Sequence, residues 1–546
     1  MKISSDLIKV HKRLHTWVGI TAGWLLFVAF FAGALTMFKE PLDRWVHAGA
    51  EPVAKAWAQP LDDRLIPELL ARQPRAAAEF TLHLRPTEHL VAPISGPRDP
   101  GDGAGVDADA SAGEPWVAGR DTQGRLQVWS QPPSKLGELV DLLHRTGGIP
   151  GTLGDEHLGV YVMGVAAVLY FLALVSGVVV LLPTLVKDFF AIRPGANRKR
   201  FWLDFHNVLG ISSLPFHVVI SLTALVFAFH DQFYGALQQV VYGRQPMFSP
   251  PALKMPVEPG RPLLPLSHLL QRVQEEAPGF EPTELLFMRT GGPHPVLRVA
   301  LNHPDALVHG PRSAYLVLQP HTGELINSSM LPGRESRWSL PVNTFFALHF
   351  GSFGGETLRW TYFALGLMGT ALFYSGNLLW LESRRKRQRT AEPQGGQPTS
   401  VRWLAAATVG FCLGCQLAVI AGLLAGKLRQ GGGGQAEALY LSVYYGVWLA
   451  SLAWSLWRGA ARAAPVLLGA CALGSLLLPG LSWRSGSGLL AGLNGGHWGL
   501  WVVDLVALTA GLAFAAMAWR TRQRVLQAPP DTIWSLSGSA AQPLRA

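Results

Sequence analysis

The sequence is poor in charged residues: Asp, Glu, Lys and Arg together make up 15% of its 546 residues, against about 25% in a soluble globular protein. The deficit is concentrated in long uncharged runs, so it indicates membrane spans. The net charge of +10 does not point to nucleic acid, because most basic residues form short clusters beside these runs. We therefore exclude a nucleic-acid partner and expect contact with a lipid bilayer.

Cysteine is also scarce, with three residues in the whole chain. The motif C-x-x-C-H does not occur, which excludes covalent c-type haem by that signature. Cys412 and Cys415 form a C-x-x-C, but they lie inside a predicted span, where packing is the preferred interpretation over redox chemistry. No G-x-G-x-x-G follows a predicted strand, so the sequence offers no nucleotide site for an electron donor.

Eight apolar runs are long enough to cross about 30 Å of hydrocarbon. The last four lie near 403–424, 438–457, 463–481 and 499–519. The chain then divides into a first span (1–38), an external lobe (39–157), a second span (158–182), a loop (183–202), a third span (203–230), a second external lobe (231–344), a fourth span (345–382), a loop (383–402), an additional four-span bundle (403–520) and a tail (521–546).

Orientation follows from Lys and Arg, which mark cytoplasmic connections. Basic clusters lie at 2–13, 187–200, 384–389, 458–462 and 520–524, so every second connection is basic. Lys427 and Arg429, after the fifth run, are an exception. This alternation predicts a multi-pass membrane protein with both termini in the cytoplasm and the two lobes on the far side of the membrane.

The first four spans contain an internal duplication. Residues 14–20 (LHTWVGI) resemble residues 205–211 (FHNVLGI), and Leu-His precedes the second and the fourth span at 143–144 and 348–349. The second and fourth spans both end with Ser-Gly followed by apolar residues, at 176–182 and 375–381. We therefore expect two copies of one unit, span–lobe–span, related by a pseudo-twofold axis along the membrane normal.

The lobes repeat as well. An amphipathic helix within 60–80 precedes a strand-like segment at 80–84, and a helix within 265–280 precedes strands near 285–288, 296–301 and 315–318. Turns at 121–125 and 321–324 match each other, and 96–113 is a Gly-, Pro- and Asp-rich insert. The predicted fold class is an all-α polytopic membrane protein with two small α+β lobes that superpose, each a helix against a small antiparallel sheet. The last four spans lie outside the repeat.

Several motifs give the chain a family resemblance: KDFF at 187–190, WLDFHN at 202–207, LPFH at 214–217, LHFG at 348–351 and RWTYF at 359–363. They resemble the PepSY-associated transmembrane family over residues 8–390. That family includes iron-regulated inner-membrane proteins and ferric-siderophore reductases. The resemblance implies a place in the bacterial inner membrane, periplasmic PepSY lobes, b-type haem in the helical bundle, and electrons that leave on the periplasmic side.

Histidines at the spans are the candidate site residues, because an ionisable group in a membrane helix is costly and marks function. Imidazole is a good iron ligand, and a helical bundle can hold haem between facing side chains. The repeat predicts that His15 faces His206 and that His144 faces His349, the arrangement of two bis-imidazole haems. His217, eleven residues after His206, would share its face about 16 Å away on a straight helix.

Two residues remain candidates for the ligand opposite His349. Symmetry favours His144, and depth in the span favours His217. The competing interpretation makes these histidines headgroup anchors, packing residues or loop residues. His157 and His230 have no counterpart in the other repeat, so we interpret both as structural residues and not as ligands. We expect the lobe histidines to be solvated: His83, His89, His268, His294, His303, His309 and His321.

The favoured function is a transmembrane electron carrier, an oxidoreductase with two b haems that reduces ferric iron, in a ferric-siderophore, on the periplasmic side. Its electron donor would be a cytoplasmic protein or a quinol. One alternative is a permease for a siderophore or a peptide, with the histidines as proton or ligand sites. Another is a non-catalytic regulator whose lobes bind a periplasmic partner. A red protein with a Soret band that shifts on reduction separates the first from the others.

Overall fold

The computed structural model describes residues 4–47, 57, 60–86, 90, 92–97, 115–131, 134–154, 156–189, 191–193, 198–243, 261–292, 294–303, 306, 313–334, 339–391, 398–429, 436–485, 498–528 and 532–536.

Helices dominate the structure, and seven of them are long and apolar enough to cross a membrane. A bent helix pair brings the total to eight if it forms one span. The helices are α1 (Ser5–Thr36), α2 (Lys39–His47), α3 (Leu65–Arg72), α4 (Leu136–Thr146), α5 (Leu158–Leu181), α6 (Leu185–Asp188), α7 (Arg198–Ser212), α8 (Leu214–Ala228), α9 (His230–Leu237), α10 (Leu266–Glu276), α11 (Ser339–Phe350), α12 (Gly355–Ala391), α13 (Thr399–Arg429), α14 (Ala436–Arg458), α15 (Ala460–Arg484) and α16 (Trp498–Leu526).

The third predicted span is broken into α7 and α8, which meet at an angle of 67°. Pro215 lies in the first turn of α8, where its missing N–H costs nothing to α8 but ends the hydrogen-bond ladder of α7. The expectation that His206 and His217 share one face 16 Å apart assumed a straight helix, and it is therefore wrong. The two histidines lie on different helices.

The strands form one continuous antiparallel sheet of eight, where the sequence suggested two separate lobes. Its order is β10-β9-β8-β7-β1-β2-β3-β4, so each repeat contributes one half and β1 pairs with β7 at the centre. A separate two-stranded ribbon of β5 and β6 precedes α5. The strands are β1 (Glu79–His83), β2 (Ile94–Gly96), β3 (Trp116–Arg120), β4 (Leu126–Ser130), β5 (Thr152–Leu153), β6 (Glu156–His157), β7 (Glu281–Met288), β8 (Val296–Asn302), β9 (Ala314–Leu318) and β10 (Leu325–Asn327).

The two halves of this sheet domain share one hydrophobic core. Each half has the order helix, then four strands, whereas the repeat predicted a helix before one strand in the first lobe and before three in the second. Helices α3 and α10 bury their apolar faces in the same cluster. Phe80 and Phe287 are paired in register and their rings stack at 4.6 Å. Asp63, before α3, accepts bonds from Ser267 N–H at 2.8 Å and Ser267 Oγ at 2.9 Å in the first turn of α10. These N–H and O–H donors lower the pKa of Asp63. The halves are thus two parts of one domain.

Two lobe histidines differ from expectation. His83 and His321 are buried rather than solvated. His83 Nε2 lies 3.0 Å from Ser95 Oγ, and its Nδ1 lies 3.3 Å from a carboxylate oxygen of Glu284 on the facing strand. His321 Nδ1 donates to the Pro262 carbonyl at 3.0 Å. His89, His309 and most of the predicted insert lie outside the described residues.

Two helical bundles lie side by side. In the first, α1 packs against α5 and α12, α5 packs against α8, and α12 packs against α7. In the second, α13 packs against α14 and α15, and α15 packs against α16. The second bundle contacts the first through α1 and α12, and it also contacts the short helices α2 and α4. Because the sheet domain connects the end of α1 to the start of α5, we call this end of the bundle the sheet side.

Candidate functional site: two pairs of facing histidines

The first histidine pair is formed by His15 on α1 and His206 on α7. Their ring centroids lie 6.3 Å apart, with the planes at 77°. His15 Nδ1 donates to the carbonyl of Ala173 on α5 at 2.8 Å. His206 Nδ1 lies 3.1 Å from Ser375 Oγ on α12, whose own proton is donated to the Leu372 carbonyl at 3.0 Å. Four helices of the bundle, α1, α5, α7 and α12, therefore hold this pair.

The second histidine pair is formed by His144 on α4 and His349 on α11, with ring centroids 6.1 Å apart and planes at 39°. His144 Nδ1 donates to the carbonyl of Ala29 on α1 at 2.8 Å. His349 Nδ1 lies 2.8 Å from Thr223 Oγ1 on α8, and that hydroxyl donates to the Val219 carbonyl at 2.8 Å. The structure thus brings both sets of repeat mates into ring contact.

The hydrogen bonds fix the same tautomer in all four rings. A backbone carbonyl can only accept, and each hydroxyl already donates its proton elsewhere, so every Nδ1 carries the hydrogen. The lone pair then lies on Nε2. None of the four Nε2 atoms has a hydrogen-bond partner within the described part of the chain. Such a ring, fixed at one nitrogen and open at the other, is the usual form of a metal-binding histidine.

Glycines leave room beside three of these rings. A Cβ on Gly177 would lie 3.0 Å from His15 Cε1, and one on Gly376 would lie 3.3 Å from His206 Cε1. A Cβ on Gly33 would lie 2.7 Å from His144 Nδ1. Gly177 and Gly376 are the glycines of the repeated Ser-Gly dipeptide. The sequence comparison therefore contained this signal, but the contact with the histidines is visible only in three dimensions.

The two pairs lie at different levels of the bundle. Ala29, which binds His144, is fourteen residues after His15 on α1, which corresponds to about 21 Å along a helix. The second pair is on the sheet side and the first pair is at the opposite end. Among the described residues no group of three or more His, Cys, Asp or Glu side chains could hold a metal ion. Each level therefore offers two imidazoles and no third ligand of these types.

His217 belongs to neither pair. It is fully buried, its Nδ1 is hydrogen-bonded to Tyr170 Oη, and its ring lies 5.5 Å from Phe30. Tyr170, Phe30 and Phe373 are mutually in ring contact. Of the two partners left open for His349, the structure brings His144 into ring contact. His217 instead belongs to an aromatic layer across the middle of the bundle.

An ion network lies next to the first pair, at the end of the bundle away from the sheet. Arg193 binds Asp188 at 2.7 Å and Asp204 at 3.2 Å, and Arg200 binds the same two carboxylates at 2.7 Å and 3.0 Å. The Asp204 side chain is 0% exposed, so its charge requires these partners. Asp204 is two residues before His206, and the network therefore fixes the start of α7. In the sequence, both aspartates were recognised only as members of the KDFF and WLDFHN motifs.

The fold and these pairs define a class: a multi-pass membrane protein built from two span–lobe–span repeats, with facing histidines at two levels of its bundle. The chain belongs to the family described as the PepSY-associated TM region, whose model matches residues 12–383. The predicted family and fold class are thus confirmed. The comparison with curated proteins gives no match. Helices α13–α16 lie outside the matched residues.

Proposed function

We propose that the chain is a transmembrane electron carrier that holds two b haems, one at each histidine pair, and reduces ferric iron in a siderophore on the sheet side. The observation that carries the proposal is the separation of the facing rings. A metal–imidazole bond of about 2.1 Å on each side of one ion separates the ring centroids by about 6.4 Å. The observed separations are 6.3 Å and 6.1 Å.

The residues fit such a group in three further respects. All four rings present a lone pair at Nε2, which an iron ligand requires. The glycines beside His15, His206 and His144 leave space that any side chain would occupy. Aromatic rings lie beside one member of the second pair, with Phe227 4.9 Å and Phe350 5.3 Å from His349. His15 with His206 and His144 with His349 would hold the two haems, which would supply one-electron transfer at each level.

The protein residues have defined tasks in this proposal. Ala173, Ser375, Ala29 and Thr223 orient the four imidazoles through Nδ1. The aromatic layer around His217 fills the bundle centre between the two levels, which favours electron transfer over passage of a solute and disfavours a permease. The ferric complex would dock on the sheet domain. The basic clusters favour a cytoplasmic position for the first pair, where a protein or quinol donor would deliver electrons across the inner membrane.

A pyridine haemochrome assay on the purified protein tests the proposal. We expect two b haems in the parent chain, one after His206→Ala and one after His349→Ala, and a low-spin spectrum that shifts on dithionite. His230→Ala is the matched control, because His230 binds the Phe227 carbonyl and Asp231 outside both pairs. A colourless parent protein, or full haem content in both pair variants, contradicts the proposal.

A further inference from the structure

The second helical bundle, α13–α16, packs against the short helix that carries one member of the second histidine pair. Helix α4, which carries His144, packs against α13 and α14. Leu136 and Leu139 of α4 lie over glycines of α13: a Cβ on Gly426 or Gly422 would be 3.4 Å or 3.1 Å from them. By contrast α11, which carries His349, packs against α8 and is bound through Tyr362 Oη, which donates to the Leu348 carbonyl at 2.7 Å. The two repeats are thus supported differently.

A buried polar network fixes α2 to the same bundle. Trp45 Nε1 on α2 donates to Ser482 Oγ at 2.8 Å and to Asp504 Oδ1 at 2.9 Å. Lys427 Nζ donates to the Trp45 carbonyl at 2.5 Å and lies 4.8 Å from the centre of its ring. Trp45, Lys427 and Asp504 are each less than 5% exposed. Charges so deeply buried are stable only with such partners, so α2 cannot shift without breaking the network.

Helix α2 in turn holds the start of α4. The Asp43 carboxylate accepts the Gly137 N–H at 2.9 Å and the Ser134 hydroxyl, and so it satisfies free donors in the first turn of α4. At the other end of α4, Tyr445 Oη of α14 donates to the Gly148 carbonyl at 3.2 Å. Both ends of the helix that carries His144 are therefore fixed, directly or through α2, by residues of α13, α14, α15 and α16.

We propose that α13–α16 are a positioning scaffold for His144, acting through α2 and α4 on one side of the second histidine pair. Lys427, Ser482 and Asp504 are positioning residues, since none contacts either pair. The inference rests on the proposed function for what the second pair binds. The position of α4 itself does not depend on that proposal.

Trp45→Phe and Lys427→Met test the scaffold, because each removes a donor of the network and keeps an apolar body of similar size. Ser455→Ala is the control, because Ser455 of α14 is buried against Gly410 of α13, away from α2 and α4. Hydrogen–deuterium exchange on the full chain would compare α4 with α11. We expect faster exchange in α4 for both network variants, unchanged exchange in α11, and parent-like exchange in both helices for Ser455→Ala.

Redox titration and haem loss provide the second measurement. Supporting residues of a metal site change its affinity by roughly 10- to 100-fold, so we expect the haem of the second pair to dissociate faster by that factor and its midpoint potential to shift. The first pair should keep its parent values. Unchanged α4 exchange, or equal changes at both pairs, overturns the inference. A parent protein without haem refutes the proposed function, and the comparison of α4 with α11 still decides whether the scaffold exists.

Discussion

Replacing Gly33 by Ala should damage the second histidine pair and spare the first. The new Cβ would lie 2.7 Å from His144 Nδ1 and 2.9 Å from its Cε1, whereas ordinary contacts begin at 3.4 Å. The ring must therefore move by several tenths of an ångström. It is not free to do so, because Nδ1 is bound to the Ala29 carbonyl one turn away on the same helix.

The magnitude follows from two opposing effects. Overpacking costs typically about 1–3 kcal/mol, and loss of the Nδ1 hydrogen bond costs about 0.5–1.5 kcal/mol. Against these, Ala is favoured over Gly inside a helix by about 1 kcal/mol. A net loss of about 1–3 kcal/mol at the second pair corresponds to a fall in haem affinity of about 5- to 150-fold, at 1.4 kcal/mol per factor of ten.

Gly19→Ala is the matched control on the same helix. A Cβ at this position meets no atom within 4 Å, so only the gain in helix propensity remains and we expect equal or higher stability with full haem content. The assay combines haem content, redox titration and thermal unfolding in detergent for the parent and both variants. If Gly33→Ala keeps two haems with parent potentials, or if the first pair is the one that changes, the geometric reasoning is refuted.

Three further predictions concern the ends of the bundle and the sheet domain. Asp204→Asn should destabilise the chain by about 1.5–3 kcal/mol, because it removes one of the two carboxylates that Arg193 and Arg200 share and leaves Asp188 alone to pair with both guanidiniums; chemical unfolding in detergent measures this. A cysteine placed at Arg193 should react with a membrane-impermeant reagent only from the cytoplasmic side, and labelling only from the periplasm would reverse the orientation. The backbone N–H of Arg125, with further donors from the same turn, lowers the pKa of Asp121 to about 2. The ionised carboxylate of Asp121 therefore stabilises the fold above about pH 4, and this stabilisation is lost as the pH falls towards 2. Thermal unfolding of Asp121→Asn should lack this dependence on pH.

The histidine pairing could be predicted from the sequence because it depends on the repeat. Matching strings around His15 and His206, and around His144 and His349, imply a twofold axis, and a twofold axis places mates opposite each other. The helix–strand order of each lobe was predictable for the same reason. Local patterns repeat with the duplicated segment, so the second copy supports the interpretation of the first.

Features that depend on contacts between distant segments could not be predicted. The pairing of β1 with β7 joins two amphipathic segments of ordinary appearance, and nothing in either strand specifies the other. The bend between α7 and α8 follows from Pro215, yet a proline in a membrane span is often accommodated with a small kink. The network of Trp45, Lys427 and Asp504 links residues almost 460 positions apart, and the sequence showed Lys427 only as an exception to the alternation of basic connections.

The central pairing of the sheet also bears on how the chain is synthesised. Thr81 of β1 pairs with Leu286 of β7, so about 200 residues must be added before β1 finds its partner. At roughly 5–20 residues per second, the ribosome needs about 10–40 s for that stretch, during which two further spans must be inserted and β1 has an open edge. Open edges invite pairing with other chains. Slow codons or insertion delays between residues 84 and 281 would lengthen this interval, and they should raise misassembly without changing the stability of the finished protein.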